Sequence, residues 1–209
     1  KILYGKKCRK HIMIIEHKQP WQHWIIDNVF PEELFKAVQQ HEINDADYTN
    51  VNGFRDIIKG RTFLGDEYCE KHPELKPVAE FLNNHKFYEE TFNCDLSNTY
   101  CRPELIHDRY PFFHAIHTDT PEKKLTLIVN ISKEDDKNLA TDIYVDKETH
   151  YAKTEWADNR GLLFIPSDEK WHGFAPIEYS GIRTIMIINF VDIDVWKNTS
   201  QCFIGDQNG

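Results

Sequence analysis

The feature that most constrains the fold is a change of pattern near residue 97. Upstream of it, apolar residues recur at helical spacing; downstream, they fall into short β-branched and aromatic runs separated by charged or turn-forming clusters. The strand candidates are Thr99–Ile106, Pro111–Thr118, Leu125–Ile131, Thr141–Val145, Leu162–Ile165, His172–Ile177 and Ile182–Val191. Before them, Pro31-Glu32-Glu33-Leu34-Phe35 opens a helix, with proline in the first turn and acids at the positive end of the dipole. A second helix is predicted over residues 73–85, where Leu75, Val78, Ala79 and Leu82 share a face and Pro77 sits early enough to be tolerated; Lys86–Cys94 extends it. Residues 44–70 read as loops with one or two short strands, and Ile12–Ile15 as one short strand. Helices followed by many short strands fit an antiparallel sandwich or barrel with helices packed on one sheet.

Within the strand-rich half, Tyr110-Pro-Phe-Phe-His-Ala-Ile-His-Thr-Asp119 places His117 and Asp119 two positions apart at the end of an aromatic run. Side chains at i and i+2 of a strand point the same way, so an imidazole and a carboxylate stand side by side. That is half of a metal site, and the 2-His-1-carboxylate triad of non-haem iron(II) needs one more histidine. His172 is the downstream histidine in a telling position, 53 residues after Asp119, following a turn and opening a strand. Arg183 comes 11 residues later, leading into the apolar run Thr184-Ile-Met-Ile-Ile-Asn-Phe190. A guanidinium in such a run needs an anionic partner, because a buried unpaired charge is very costly.

His-x-Asp, a distant second histidine and a following basic residue together resemble the signature of the iron(II)/2-oxoglutarate-dependent dioxygenases, over roughly residues 97–192. The resemblance is to the prolyl-4-hydroxylase-like branch and its small bacterial and phage relatives, through His117-Thr-Asp119 followed by Lys123-Lys124-Leu125-Thr126 and an aliphatic strand. It implies a mostly β fold with flanking helices around a double-stranded β-helix (jelly-roll, cupin-like) core. It also implies an N-terminal helical and mixed region, residues 1–96, packed on a catalytic core, residues 97–209, in one structural domain. The implied cofactors are Fe(II), 2-oxoglutarate and O2, with His117, Asp119 and His172 as the metal ligands and Arg183 binding the far carboxylate of 2-oxoglutarate. Oxidative decarboxylation would then give succinate and CO2 and drive hydroxylation of an unactivated C–H bond. A carboxylate at position 119, rather than Gly or Ala, favours hydroxylation over halogenation.

Around this site Thr126 and Asn189 are candidates for the far carboxylate of 2-oxoglutarate, Asn189 because it lies six residues from Arg183 on the same strand face. Tyr110 and Tyr100 are alternatives for that hydroxyl, and Tyr110, Phe112 and Phe113 are expected to line or back the pocket. Two departures stand out: Ala140-Thr141 where relatives carry Gly-Thr, and Ile185 where some families place Ser or Thr two residues after the basic one. His114, three residues before His117, falls on the opposite strand face and is read as packed or solvent-facing; His85, His107 and His150 are read as structural or exposed. Two other classes stay open, a cupin-like metal-binding barrel that does not use 2-oxoglutarate and a non-catalytic relative. The substrate, a small molecule or a peptidyl residue, is not legible, and neither is the oligomeric state.

The remaining constraints come from charge and composition. A formal charge of -9 argues against nucleic acid as a partner. No apolar run approaches the roughly 18 to 20 residues of a membrane span, and the N-terminus lacks a signal-peptide pattern, so no membrane partner is expected. Cysteines at 8, 69, 94, 101 and 202 are odd in number and share no close spacing, which favours a reducing, cytoplasmic location over a disulfide framework.

Overall fold

The computed structural model describes residues 12–43, 60–109, 112–132, 137–177 and 179–205. Its first strands, β1 (Met13–His17) and β2 (His23–Asp27), form a hairpin before helix α1 (Glu32–Gln40), which starts where expected, with Glu32 and Glu33 in its first turn. Next come β3 (Arg61–Phe63) and α2 (Asp66–Lys71), a short helix in a region read from sequence as loops and strands. The single helix predicted over 73–85 is in fact two, α3 (Lys76–Leu82) and α4 (His85–Phe92). The cause is local: the Asn84 side chain accepts the Phe87 N–H and caps a new helix, an alternative to helical continuation that Asn offers readily. Asn93 then closes α4 in the left-handed conformation, with φ of 53°.

Eight strands follow: β4 (Thr99–Arg109), β5 (Phe112–His117), β6 (Lys123–Asn130), β7 (Asp142–Tyr144), β8 (His150–Lys153), β9 (Arg160–Phe164), β10 (His172–Ile177) and β11 (Ile182–Asp192). Seven match the sequence expectation; β8, half exposed and rich in polar residues, carries no apolar alternation and was missed. They divide into two antiparallel four-stranded sets, β9-β6-β11-β4 and β5-β10-β7-β8. This is the double-stranded β-helix. The first set is widened by β2 and β1 beyond β9 and by β3 beyond β4, giving a seven-stranded sheet.

Alternation along β6 and β11 sorts the chain into two buried layers. Leu125, Leu127, Val129, Met186, Ile188 and Phe190 pack with Val38, Leu75, Val78, Leu82, Tyr88 and Phe92 of the helical side. Ile128 and Ile185 point the other way, towards Phe174 and Ile143 of the smaller sheet. The same alternation directs Thr126 and, on β11, Arg183, Ile187 and Asn189 to the inner face. The inner face is therefore where polar groups interrupt an otherwise apolar wall. Among the described residues, no helix is long and apolar enough to cross a membrane.

Candidate metal centre and its cavity

His117 ends β5, His172 opens β10, and the two are direct register partners across the smaller sheet. Their ring centroids are 4.4 Å apart. Asp119 lies two residues beyond His117, just before a tight turn closed by a hydrogen bond from the Lys123 N–H to the Thr120 carbonyl. One ligand atom from each of the three residues lies within 4.8 Å of the others. His117 Nε2 is 4.0 Å from Asp119 Oδ1.

Backbone carbonyls orient both rings. His117 Nδ1 lies 2.9 Å from the Ala115 carbonyl and His172 Nδ1 lies 3.0 Å from the Lys170 carbonyl. A carbonyl only accepts, so each Nδ1 carries the proton and each Nε2 presents a lone pair. Burial pushes the His117 imidazolium down, with further repulsion from His172, to about 4. Burial likewise lowers His172. Burial alone would raise the Asp119 carboxyl, but Lys123 and His172, with hydrogen bonds from Lys123 and Thr126, outweigh it and hold the group down to about 2. Two neutral imidazoles and one ionised carboxylate are the donor set that iron(II) takes on one face.

Lys123, four residues after Asp119, donates to Asp119 Oδ1, and Thr126 Oγ1 stands 2.7 Å from Asp119 Oδ2 and 3.0 Å from Asn189 Oδ1. Thr126, expected at the far carboxylate of 2-oxoglutarate, thus lines the cavity next to Asp119, and Asn189, expected there too, touches Thr126 from the facing strand. Asn189 is fully buried and continues the chain of contacts to Glu104, 3.3 Å away. Lys123 is a contact that the sequence signals only by its four-residue spacing from Asp119.

The triad opens on a cavity of about 310 Å³ whose wall includes Thr126, Ile128, Phe174, Ile185, Ile187 and Arg183. Arg183 is 1% exposed. Its Nη1 donates to Asp108 Oδ2 at 2.6 Å, its Nε donates to the Leu139 carbonyl at 2.6 Å, and Phe174 covers its face at 4.6 Å. The anion that sequence reasoning required beside this guanidinium is thus present in the fold. Asp108 faces it across the β4–β11 register, a pairing no linear spacing reveals. Tyr110 lies outside the described residues, as do the side chains of Phe112 and Phe113.

His114 is packed, as expected, but on the other strand face from the one alternation predicts. It shares the cavity wall with His117, the two rings stacked 4.2 Å apart at 8°. The cause is a bulge: His117 pairs with His172 and His114 with Phe174, so three steps on β5 oppose two on β10 and both histidines turn to one face. Gly173 sits at this irregularity, where an added Cβ would stand 2.7 Å from the His114 carbonyl oxygen.

A second group, His41, His72 and Glu74, also brings three ligand atoms within 4.8 Å. Here the contacts are spent among side chains: His41 Nδ1 is 3.0 Å from Glu74 Oε1 and His41 Nε2 is 2.9 Å from the Tyr68 hydroxyl. These residues follow the ends of α1 and α2 and tie them together.

No protein-family model and no curated protein matches the chain. Solved structures do. A Pseudomonas putida prolyl-4-hydroxylase superposes with a TM-score of 0.58 at 10% identity, over 81% of this chain and 92% of that one. This is the fold of the prolyl 4-hydroxylases. A prolyl hydroxylase from Trichoplax adhaerens, solved with a hypoxia inducible factor oxygen degradation domain peptide fragment, gives 0.57 at 15% identity over 82% and 84% of the two chains. A prolyl 4-hydroxylase from Phytophthora capsici gives 0.57 at 16% identity over 83% of this chain, which spans 59% of that structure's length.

Proposed function

We propose that the protein is an iron(II)- and 2-oxoglutarate-dependent dioxygenase that hydroxylates an unactivated C–H bond, releasing succinate and CO2. The observation that carries this is the state of the triad: both Nδ1 atoms tied to carbonyls, both Nε2 atoms available, and an ionised Asp119 beside them at the head of a cavity that reaches Arg183. The shared prolyl 4-hydroxylase fold supports it.

In this account His117, Asp119 and His172 hold the iron, and Thr126 keeps Asp119 turned towards it. When bound, iron and 2-oxoglutarate supply the oxidising chemistry, using O2. Arg183 receives the far carboxylate of 2-oxoglutarate, sharing its fork of donors between that group and Asp108. Ile128, Ile185, Ile187 and Phe174 exclude water from the space between.

The resident Asp108–Arg183 pair is the one observation that favours a second reading, a metal-binding barrel that makes no use of 2-oxoglutarate. Succinate formation separates the two. Wild-type protein with iron(II), 2-oxoglutarate and O2 should convert 2-oxoglutarate to succinate, and Asp119→Ala or His172→Ala should abolish it. Iron bound at unit stoichiometry with no succinate formed, with or without small-molecule and peptide substrates, would favour the second reading.

A further inference from the structure

Arg61 on β3 and Arg102 on β4 line the same cavity as the triad, on the wall beyond Asn189. Among the described residues they share one acidic partner, Glu104: Arg61 Nε is 3.2 Å from Glu104 Oε2, and Arg102 Nη1 is 3.8 Å from Glu104 Oε1. Arg102 is 6% exposed, and its guanidinium lies 4.7 Å from the Phe63 ring and 4.4 Å from the Trp196 ring, with Nε donating to Gln201. A guanidinium that lies against aromatic rings keeps its edge for hydrogen bonds. Glu104 is also buried, with the Asn189 amide on its other side.

Two guanidinium groups around one carboxylate leave one positive charge in excess. In a partly enclosed cavity an excess charge is costly unless an anion answers it. The surplus is local, since the whole chain carries a formal charge of -9. It is also separate from Arg183, which has Asp108. The cavity, about 310 Å³ and near the lower end of the ~300–1,000 Å³ range of ligand pockets, has room for a small molecule.

Building on the iron and 2-oxoglutarate reading, we propose that Arg61 and Arg102 form a carboxylate-binding subsite for the substrate. The substrate class is then a small carboxylic acid, such as a free amino acid, presented with its apolar part towards Ile128 and Ile187. An internal peptidyl residue with an uncharged side chain, such as proline, does not match the surplus charge.

The test is calorimetric binding to oxygen-free protein loaded with iron(II) and 2-oxoglutarate, using L-proline, L-leucine, L-valine and L-phenylalanine, each as free acid, as primary amide and as the C-terminal residue of a tripeptide. At least one free acid should bind ten-fold or more tighter than its amide, as loss of a charge-assisted contact predicts. The preference should shrink to under about three-fold in Arg61→Gln and be partly restored in Arg61→Lys. Tripeptide acids binding as well as the free acids would assign the subsite to a peptide C-terminus and overturn the small-molecule class. Acid and amide within two-fold of each other throughout, or no free acid bound, would overturn the subsite itself. So would a preference that survives both Arg61→Gln and Arg102→Gln. The chelate absorption band of the loaded sample is recorded first. Its absence would count against the iron and 2-oxoglutarate reading, and the titrations would then be run on metal-free protein, where the Arg61 dependence is expected to persist.

Discussion

Two clusters in this molecule each gather two imidazoles and a carboxylate within the same 4.8 Å, yet they differ in what the ring nitrogens do. At His117 and His172 one nitrogen of each ring is spent on a backbone carbonyl, which fixes the tautomer and leaves the other for a metal. At His41 both nitrogens are already engaged, by Glu74 and by Tyr68. Proximity of ligand types is thus insufficient; a histidine that is to hold a metal also needs one ring nitrogen left over, with the other fixed by a carbonyl, carboxylate or water. The first cluster sits at paired strand ends beside a cavity, the second between helix ends, where the same side chains serve as braces.

The largest expected difference follows directly. Asp119→Ala or His172→Ala should weaken iron(II) binding by more than about 100-fold, beyond the 10–100-fold typical of losing a supporting group. His41→Ala should leave iron stoichiometry untouched and lower the melting temperature by a few degrees, since hydrogen bonds to the half-exposed Glu74 carboxylate and to the Tyr68 hydroxyl, about 0.5–1.5 kcal/mol each, are lost. Equilibrium dialysis and thermal melts check both; iron lost from the His41 variant would erase the distinction.

Next in size is Arg183→Lys, which keeps the charge beside Asp108 and removes the fork. We expect 2-oxoglutarate affinity to fall about ten-fold with iron affinity unchanged. Thr126→Val, which strips the hydroxyl from Asp119 Oδ2, should cost roughly ten-fold in iron affinity and nothing in 2-oxoglutarate affinity at saturating iron. Equal losses in both ligands for either variant would mean that the two roles are not separate.

The pH dependence of the iron-free protein sharpens the contrast further. His117 stays neutral in the folded state down to about 4, and burial keeps His172 below its ordinary value too, while the unfolded chain protonates both near 6.5. The unfolded state therefore binds more protons in this window, and stability is lost as pH falls through it, by up to about 1.4 kcal/mol per pH unit for each imidazole. Melting temperature should decline from pH 6.5 towards 4, and the decline should flatten in His117→Gln. The smallest effect is at Lys123, whose ammonium group occupies the Asp119 carboxylate; Lys123→Met should tighten iron binding a few-fold by removing a competing cation.

How much of this was legible in the sequence depended on whether a relation was local or crossed strands. His117 and Asp119 are two residues apart on one strand, and their joint direction follows from alternation alone. His172 and Arg183 were found by spacing, and the structure brings both to the same cavity. What spacing could not supply was register. Asp108 reaches Arg183 only because β4 and β11 pair in one particular register, and Thr126 meets Asn189 for the same reason. His114 was misread because alternation assumes a regular strand, and the bulge opposite Gly173 breaks it. The helix break at Asn83-Asn84 was hidden by apolar periodicity, although Asn84 carried the capping signal.

The central claim is that His117, Asp119 and His172 hold iron at the head of a 2-oxoglutarate pocket. Anaerobic titration of the protein with iron(II) and 2-oxoglutarate, followed by the weak visible charge-transfer absorption of the chelate, tests it most directly. The expected result is a band that saturates at one equivalent, is absent from His172→Ala, and is unchanged in His41→Ala. A wild-type protein that binds iron and shows no band, or a band that survives His172→Ala, would contradict it.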